Sequence, residues 1–163
     1  MGDEQAGGVV LYSYWRSSSA YRVRIALNLK HIEYRQRAVH LARDGGEQNL
    51  PGYRAINPLG LVPALVHRDR TIVQSMAICE YLEEVFPARP LLPEDPAARA
   101  RVRSIAQSIA SEIQPLNNLA VLNYLRTGMH QGEAAIRTLG RRPDFAGAPA
   151  LARVARARAP ASG

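Results

Sequence analysis

Cysteine is nearly missing: Cys79 is the only one in 163 residues. One thiol excludes an intrachain disulfide and fits a reducing compartment, so the cytoplasm is the expected location. Long apolar runs are also missing, and no stretch reaches the roughly 20 residues that a membrane-spanning helix needs. The opening segment, Met1-Gly2-Asp3-Glu4-Gln5-Ala6-Gly7-Gly8, is polar and acidic, which is not the pattern of a signal peptide. No metal-ligand spacing links His31, His40, His67 and His130 to cysteine or acidic residues, so each is expected at the surface. Cys79, among Met76, Ile78 and Leu82, is expected as a buried structural thiol. There is no glycine-rich phosphate loop and no nucleophile elbow. Acidic residues are scarce at one end: residues 140–163 hold five arginines against Asp144, more than half of the net charge of +7. No aromatic platform accompanies those arginines, so a nucleic-acid partner is not expected.

What the chain does have is 47% hydrophobic residues, enough for a sizeable core. Val9 to Tyr14, β-branched and aromatic, predicts a strand. It runs into Arg16-Ser17-Ser18-Ser19-Ala20-Tyr21-Arg22-Val23-Arg24, and a broadly apolar helix is expected over 20–30. Ile32 to Val39 reads as a second strand, with Ile32, Tyr34 and Ala38 on one face and Arg35 and Arg37 on the other. So many polar groups suit a sheet edge. Leu41 to Asn49 is a polar connection and Pro51 to Ala55 a short helical turn. Pro58 and Gly60 mark a turn. Ala64-Leu65-Val66 and Thr71-Ile72-Val73 read as a hairpin around His67-Arg68-Asp69-Arg70, and Ser75 is expected to cap a helix over Met76–Val85. Strand, helix, strand implies a parallel pair with a right-handed crossover, and the hairpin adds antiparallel strands. The expected fold is therefore α/β and thioredoxin-like, a mixed four-stranded sheet with helices on both faces.

The expected organisation is this domain over 1–87, a proline-rich linker over 88–96, a partial helical domain over 97–139 and a basic tail over 140–163. In the helical part Val102, Ile105, Ala106, Ile109, Ile113, Leu116 and Ala120 recur at three and four residues. That spacing predicts one long helix over 97–126, kinked at Pro115, with a second helix from Gln131 to Leu139. Of the 24 tail residues 19 are Ala, Arg, Pro or Gly, which predicts a poorly packed extension, with a short basic helix possible over Leu151–Ala159.

The serine cluster sits where backbone N–H groups at a helix start lack partners. Serine there caps the helix, and the same place receives anions. Ser17 and Ser18 are thus candidates for either role. Arg22 and Arg24 lie in the first helical turn, where the dipole disfavours them, which suggests a compensating anion. Arg16 and Arg22 could face substrate carboxylates; for Arg24 a structural salt bridge is an equal alternative. Ser75 at a second helix start is a cap, an anion site or both. Gln114 and Asn118, four apart, are expected on one helix face, as the wall of a site or as a solvated stripe.

Ser17-Ser18-Ser19-Ala20-Tyr21-Arg22-Val23-Arg24-Ile25-Ala26-Leu27 resembles the serine-rich motif of zeta-class glutathione transferases. That class includes maleylacetoacetate isomerase and resembles bacterial maleylpyruvate isomerase. Asn57-Pro58 to Val62-Pro63, Gln74-Ser75 to Glu80-Tyr81-Leu82, and Ile113-Gln114-Pro115-Leu116-Asn117-Asn118-Leu119 match in order and spacing, so the resemblance covers residues 9–138. It implies glutathione as a cofactor that is not consumed. Ser17, Ser18, Ser19, Ala20, Tyr21 and Arg22 would form its thiol end, with Ser17 the activating hydroxyl and Ser18 second. Many members have cysteine where Ser19 stands, so glutathione's own thiol would do the chemistry. Val62, before a cis Pro63, would pair with the cysteinyl unit. Gln74 and Ser75 would take the γ-glutamyl carboxylate, Gln48 would add a contact, and Gln114, Asn118, Leu119 and Ala120 would wall the site.

The implied reaction is cis–trans isomerisation of maleylacetoacetate to fumarylacetoacetate in tyrosine and phenylalanine breakdown, by thiolate addition, bond rotation and elimination. A thiol of pKa about 8.5 is only a few per cent thiolate at pH 7, and lowering it by about two units takes roughly 2.7 kcal/mol. The alternatives are isomerisation of maleylpyruvate, general glutathione conjugation or dehalogenation, and a glutathione-binding domain without turnover. Family members form homodimers through both domains. They also continue with further helices that are not visible here after Thr138. A shifted reading frame in GC-rich DNA would produce the tail's composition; reading the gene in its other frames tests this.

Overall fold

A computed structural model describes residues 8–141. The chain forms two compact units, one ending at Leu92 and the next beginning at Pro93. The first contains β1 (Val9–Ser13), α1 (Ser18–Leu29), β2 (Tyr34–Ala38), α2 (Pro51–Arg54), β3 (Ala64–His67), β4 (Arg70–Val73) and α3 (Ser75–Val85). The sheet order is β2-β1-β3-β4, with β1 and β2 parallel, β3 antiparallel to β1 and β4 antiparallel to β3. This is the thioredoxin-like arrangement.

Strand alternation sends Val9 and Leu11 of β1 and Leu65 of β3 to one sheet face, where Val23, Ala26 and Leu27 of α1 meet Ile78 and Leu82 of α3. On the other face Tyr12 meets Tyr53 of α2, ring centroids 5.8 Å apart. β2 is the edge, and Arg35, Gln36, Arg37 and Ala38 are all exposed. Ser13 ends β1 fully buried, yet its Oγ has no partner among the described residues. An unpaired buried hydroxyl costs about 1 kcal/mol or more. Ser13→Ala is therefore expected to hold or raise the melting temperature, and a clear fall in a thermal scan would contradict this.

Three local expectations need correction. α1 starts at Ser18, earlier than the apolar pattern indicated, because Ser17 Oγ accepts the Ala20 N–H at 3.1 Å and caps it. Ser75 is the first residue of α3, and Gln74 holds the cap position without a side-chain bond. His67 is buried rather than in a surface loop: pairing with Arg70 extends the ladder, leaving a tight turn with Arg68 at φ 57°. The His67 Nδ1 bonds the Tyr81 hydroxyl at 2.8 Å, and its ring lies against Phe86. His40 is half-buried, its Nδ1 accepting the Ala42 and Arg43 N–H groups, whereas His31 and His130 are exposed.

The second unit contains α4 (Pro96–Gln107), α5 (Leu119–Thr127) and α6 (Glu133–Arg141). Asp95 caps α4 by accepting the Ala98 N–H at 2.7 Å, and Pro96 occupies the first turn, where its missing N–H costs nothing. The expected continuous helix over 97–126 is instead broken. From Ser108 to Ile113 the turns widen to a π-helix, and Pro115–Asn117 make a 3-10 turn. Asn118 is extended at φ −67° and ψ 139°, and its Oδ1 accepts the Ala120 N–H at 2.9 Å. Pro115 cannot donate back into a helix, and Asn118 offers the next turn a better start than continuation. Gln114 and Asn118 consequently do not share one helix face. The helix suggested for 151–159 lies outside the described residues.

Candidate functional site

The first unit gathers three of the sequence motifs at one end of the sheet. β1 pairs with β3 through Tyr12↔Ala64, and β3 with β4 through Ala64↔Val73. One further step sets Pro63 at the register position between Ser13 and Gln74. The serine turn, Val62-Pro63 and Gln74-Ser75 therefore meet at the carboxyl ends of β1 and β2, where α/β sheets bind ligands.

The Ser17 N–H donates to the Tyr14 carbonyl at 3.0 Å, closing the turn that leaves β1. Ser17 is half-buried and Ser18 exposed; Ser19 is half-buried, Ala20 fully buried and Tyr21 exposed. The Ser17 hydroxyl accepts one bond as the cap, so its proton remains to donate. Arg16 stacks over Trp15 at 5.6 Å. Arg24 makes no salt bridge among the described residues, contrary to one expectation: its guanidinium lies over Tyr21 at 5.1 Å and donates to the Trp15 carbonyl.

Arg22 of α1 reaches the first residue of α3. Its Nη1 donates to Ser75 Oγ at 2.6 Å, which brings a guanidinium to the N-terminus of α3. Burial lowers the Arg22 pKa, partly offset by Cys79 nearby. A helix N-terminus and a guanidinium repel each other unless an anion lies between them. Gln74, exposed, has φ 70° and ψ 118°, an unfavourable backbone for a residue with a side chain. Cys79 is half-buried against the core, and burial pushes its thiol up to about 11 against the opposing pull of Arg22. It is a neutral thiol at physiological pH, not a nucleophile.

Val62 is half-buried and precedes a cis peptide bond to the buried Pro63. Among the described residues neither its N–H nor its C=O has a main-chain partner. Gln48 packs over Gly46; its amide nitrogen contacts the Leu41 carbonyl at 3.4 Å and its buried Oε1 has no partner among the described residues. Gln114, Asn118, Leu119 and Ala120 belong to the second unit, and the site described here is built from the first. Tyr53 and Asn57, which both bond the Leu61 carbonyl beside Val62, escaped the sequence reading. Asn57-Pro58 was visible there as a turn and as one of the matching motifs, with no role given to the Asn57 side chain. A cavity of about 740 Å³ lined by Val9, Lys30, Ile32 and Phe86 lies at the opposite end of β1. There the Lys30 ammonium is already engaged by Glu83 and the Arg89 carbonyl.

Residues 7–84 match the glutathione S-transferase N-terminal domain. The crystal structure of maleylacetoacetate isomerase from Methylobacterium extorquens AM1, with bound malonate and GSH, superposes with a TM-score of 0.84 at 41% identity, covering 91% of this chain and 69% of that one. The chain belongs to the maleylacetoacetate isomerase family of glutathione transferases. A protein named probable maleylacetoacetate isomerase in Vibrio cholerae serotype O1 is 51% identical over 117 residues, covering 72% of this chain and 54% of that protein. A maleylpyruvate isomerase of Ralstonia sp is 45% identical over 126 residues, 77% of this chain and 58% of that protein. The chain thus spans between half and two thirds of the length of these curated family members.

Proposed function

We propose that the chain is a glutathione-dependent cis–trans isomerase acting on maleylacetoacetate. The observation that carries the proposal is the Arg22–Ser75 bond, which sets a cation and a helix start at the same sheet end as Ser17 and Val62. The residues fit the tripeptide. Ser75, with its hydroxyl proton and the first N–H groups of α3, and Arg22 would hold the γ-glutamyl carboxylate beside Gln74. The N–H and C=O of Val62, without a main-chain partner among the described residues, would take the peptide main chain as an added strand. Gln48 Oε1 would accept an N–H. Ser17 would donate to the thiolate, with the exposed Ser18 second. Glutathione would supply a thiolate able to add reversibly to an activated double bond. The chain's own part is to favour that thiolate: the Ser17 hydroxyl and the start of α1 together supply the roughly 2.7 kcal/mol that a shift of about two pKa units requires. A small diketo acid as substrate, a cytoplasmic location and a homodimer complete the proposal, the last two testable by cell fractionation and light scattering.

Arg22→Met is expected to raise the glutathione Kd about tenfold or more, the loss of a charge-assisted bond, read by titration calorimetry. An unchanged Kd would remove Arg22 from the site. Isomerisation is assayed on maleylacetoacetate and maleylpyruvate, with and without glutathione. The serine turn, Val62 and Ser75 all lie in the first unit, which favours one second reading, a glutathione-binding domain without turnover. Retention on glutathione resin with no isomerisation of either substrate would support it; no retention would defeat both readings.

A further inference from the structure

Beyond the residues that would touch glutathione, the structure assigns a positioning role to Tyr53 and Asn57, which together aim the Val62 N–H. This rests on the glutathione reading above. Both side chains are buried, Tyr53 at 7% exposure and Asn57 at 1%. The Tyr53 hydroxyl donates to the Leu61 carbonyl at 2.5 Å and Asn57 Nδ2 donates to the same oxygen at 2.7 Å. Two donors occupy both lone pairs of that oxygen.

Asn57 is itself held in place. Its Oδ1 accepts the Leu59 N–H at 3.1 Å and its carbonyl accepts the Gly60 N–H at 2.9 Å. Gly60 turns the chain at φ 63°, where a Cβ would also meet the Arg54 guanidinium at 2.8 Å. Burial pushes the Tyr53 phenol up to about 12, with Asn57 opposing, so it stays a donor across the working pH range.

The consequence is geometric. In a trans peptide the C=O and N–H point in opposite directions. Of the described peptide bonds only Val62–Pro63 is cis, so the bond from Leu61 to Val62 is trans. Drawing the Leu61 oxygen inward to Tyr53 and Asn57 therefore turns the Val62 N–H outward, away from both side chains. Among the described residues that N–H has no main-chain partner of its own. Without the two donors the peptide plane is free to rock, and a ligand strand must then order it on binding.

Tyr53→Phe keeps the ring and removes one donor. In the free protein the Leu61 carbonyl-carbon and Val62 amide resonances are expected to shift. The glutathione Kd is expected to rise about fivefold, the loss of one hydrogen bond's worth of preorganisation. Leu27→Val, a core variant far from this turn in sequence, controls for general loosening and should leave Kd unchanged. If Tyr53→Phe is poorly folded, Asn57→Ser removes the other donor to the same oxygen and reads the same quantities. Unchanged resonances, or shifted resonances with an unchanged Kd, would overturn the role. If the wild type itself fails to bind glutathione, the glutathione reading falls and this role with it, an outcome distinct from equal binding by wild type and variant.

Discussion

Glu83→Leu is expected to destabilise the first unit by about 3 kcal/mol, a fall in melting temperature of roughly 15 °C. Lys30 follows α1 with its side chain fully enclosed, and its Nζ donates to Glu83 Oε2 at 2.7 Å and to the Arg89 carbonyl at 2.8 Å. Glu83 on α3 also accepts the Leu91 and Leu92 N–H groups. Removing the carboxylate leaves an ammonium in the interior and two main-chain donors unpaired, so three partners lose their acceptor at once. The double variant Lys30→Met with Glu83→Leu is expected to recover much of the loss, since no charge is then stranded. Equal melting temperatures for the single and double variants would show that the pair is not coupled.

The same group sets an acid limb. Burial alone would raise the Glu83 pKa, but Lys30 and the Leu92 and Leu91 N–H groups outweigh it and hold it below 4.5. A depressed folded pKa gives stability that is complete above the unfolded value and lost as pH falls through the folded one. Melting temperature is therefore expected to be flat with respect to Glu83 above pH 4.5 and to drop below it, and that drop should shrink in Glu83→Leu.

Ser17→Ala is expected to lower kcat/KM for isomerisation about tenfold, which is roughly one of the two pKa units that Ser17 and the start of α1 supply together, expressed as rate. The substitution also removes the α1 cap, at a cost of about 1 kcal/mol, so activity is read well below the melting temperature. Ser17→Thr keeps both the acceptor and the donor and should retain most of the activity. The bound thiol, titrated by thiolate absorbance, should move toward its ordinary pKa in Ser17→Ala. Wild-type activity in the folded alanine variant would leave Ser17 as a helix cap and nothing more.

Cap and thiolate donor are compatible at Ser17 because a hydroxyl accepts and donates at once. That could be argued from the residue type, and the structure adds which bond is already made. The strands were legible because apolar or alternating runs of three to eight residues sit between turn residues, and their order set the parallel and antiparallel pairs. The hairpin limit was not, since nothing local shows that His67 pairs with Arg70 and buries its ring against Phe86. The break at Asn118 was missed for a related reason. The apolar spacing from Val102 to Ala120 continues through it, and spacing reports which face is apolar, not whether each carbonyl still finds a donor.

By itself the sequence determined the element order of the first unit, the motifs and the family to which they belong, because these depend on residue type and spacing along the chain. Only the tertiary structure decided what Arg22 does. On α1 it is one of three arginines near a serine turn; in the fold it bonds Ser75, 53 residues away. The Leu61 carbonyl is likewise held by side chains four and eight residues before it. A side chain's direction follows from how helix, turn and sheet pack, and spacing along the chain does not carry that information.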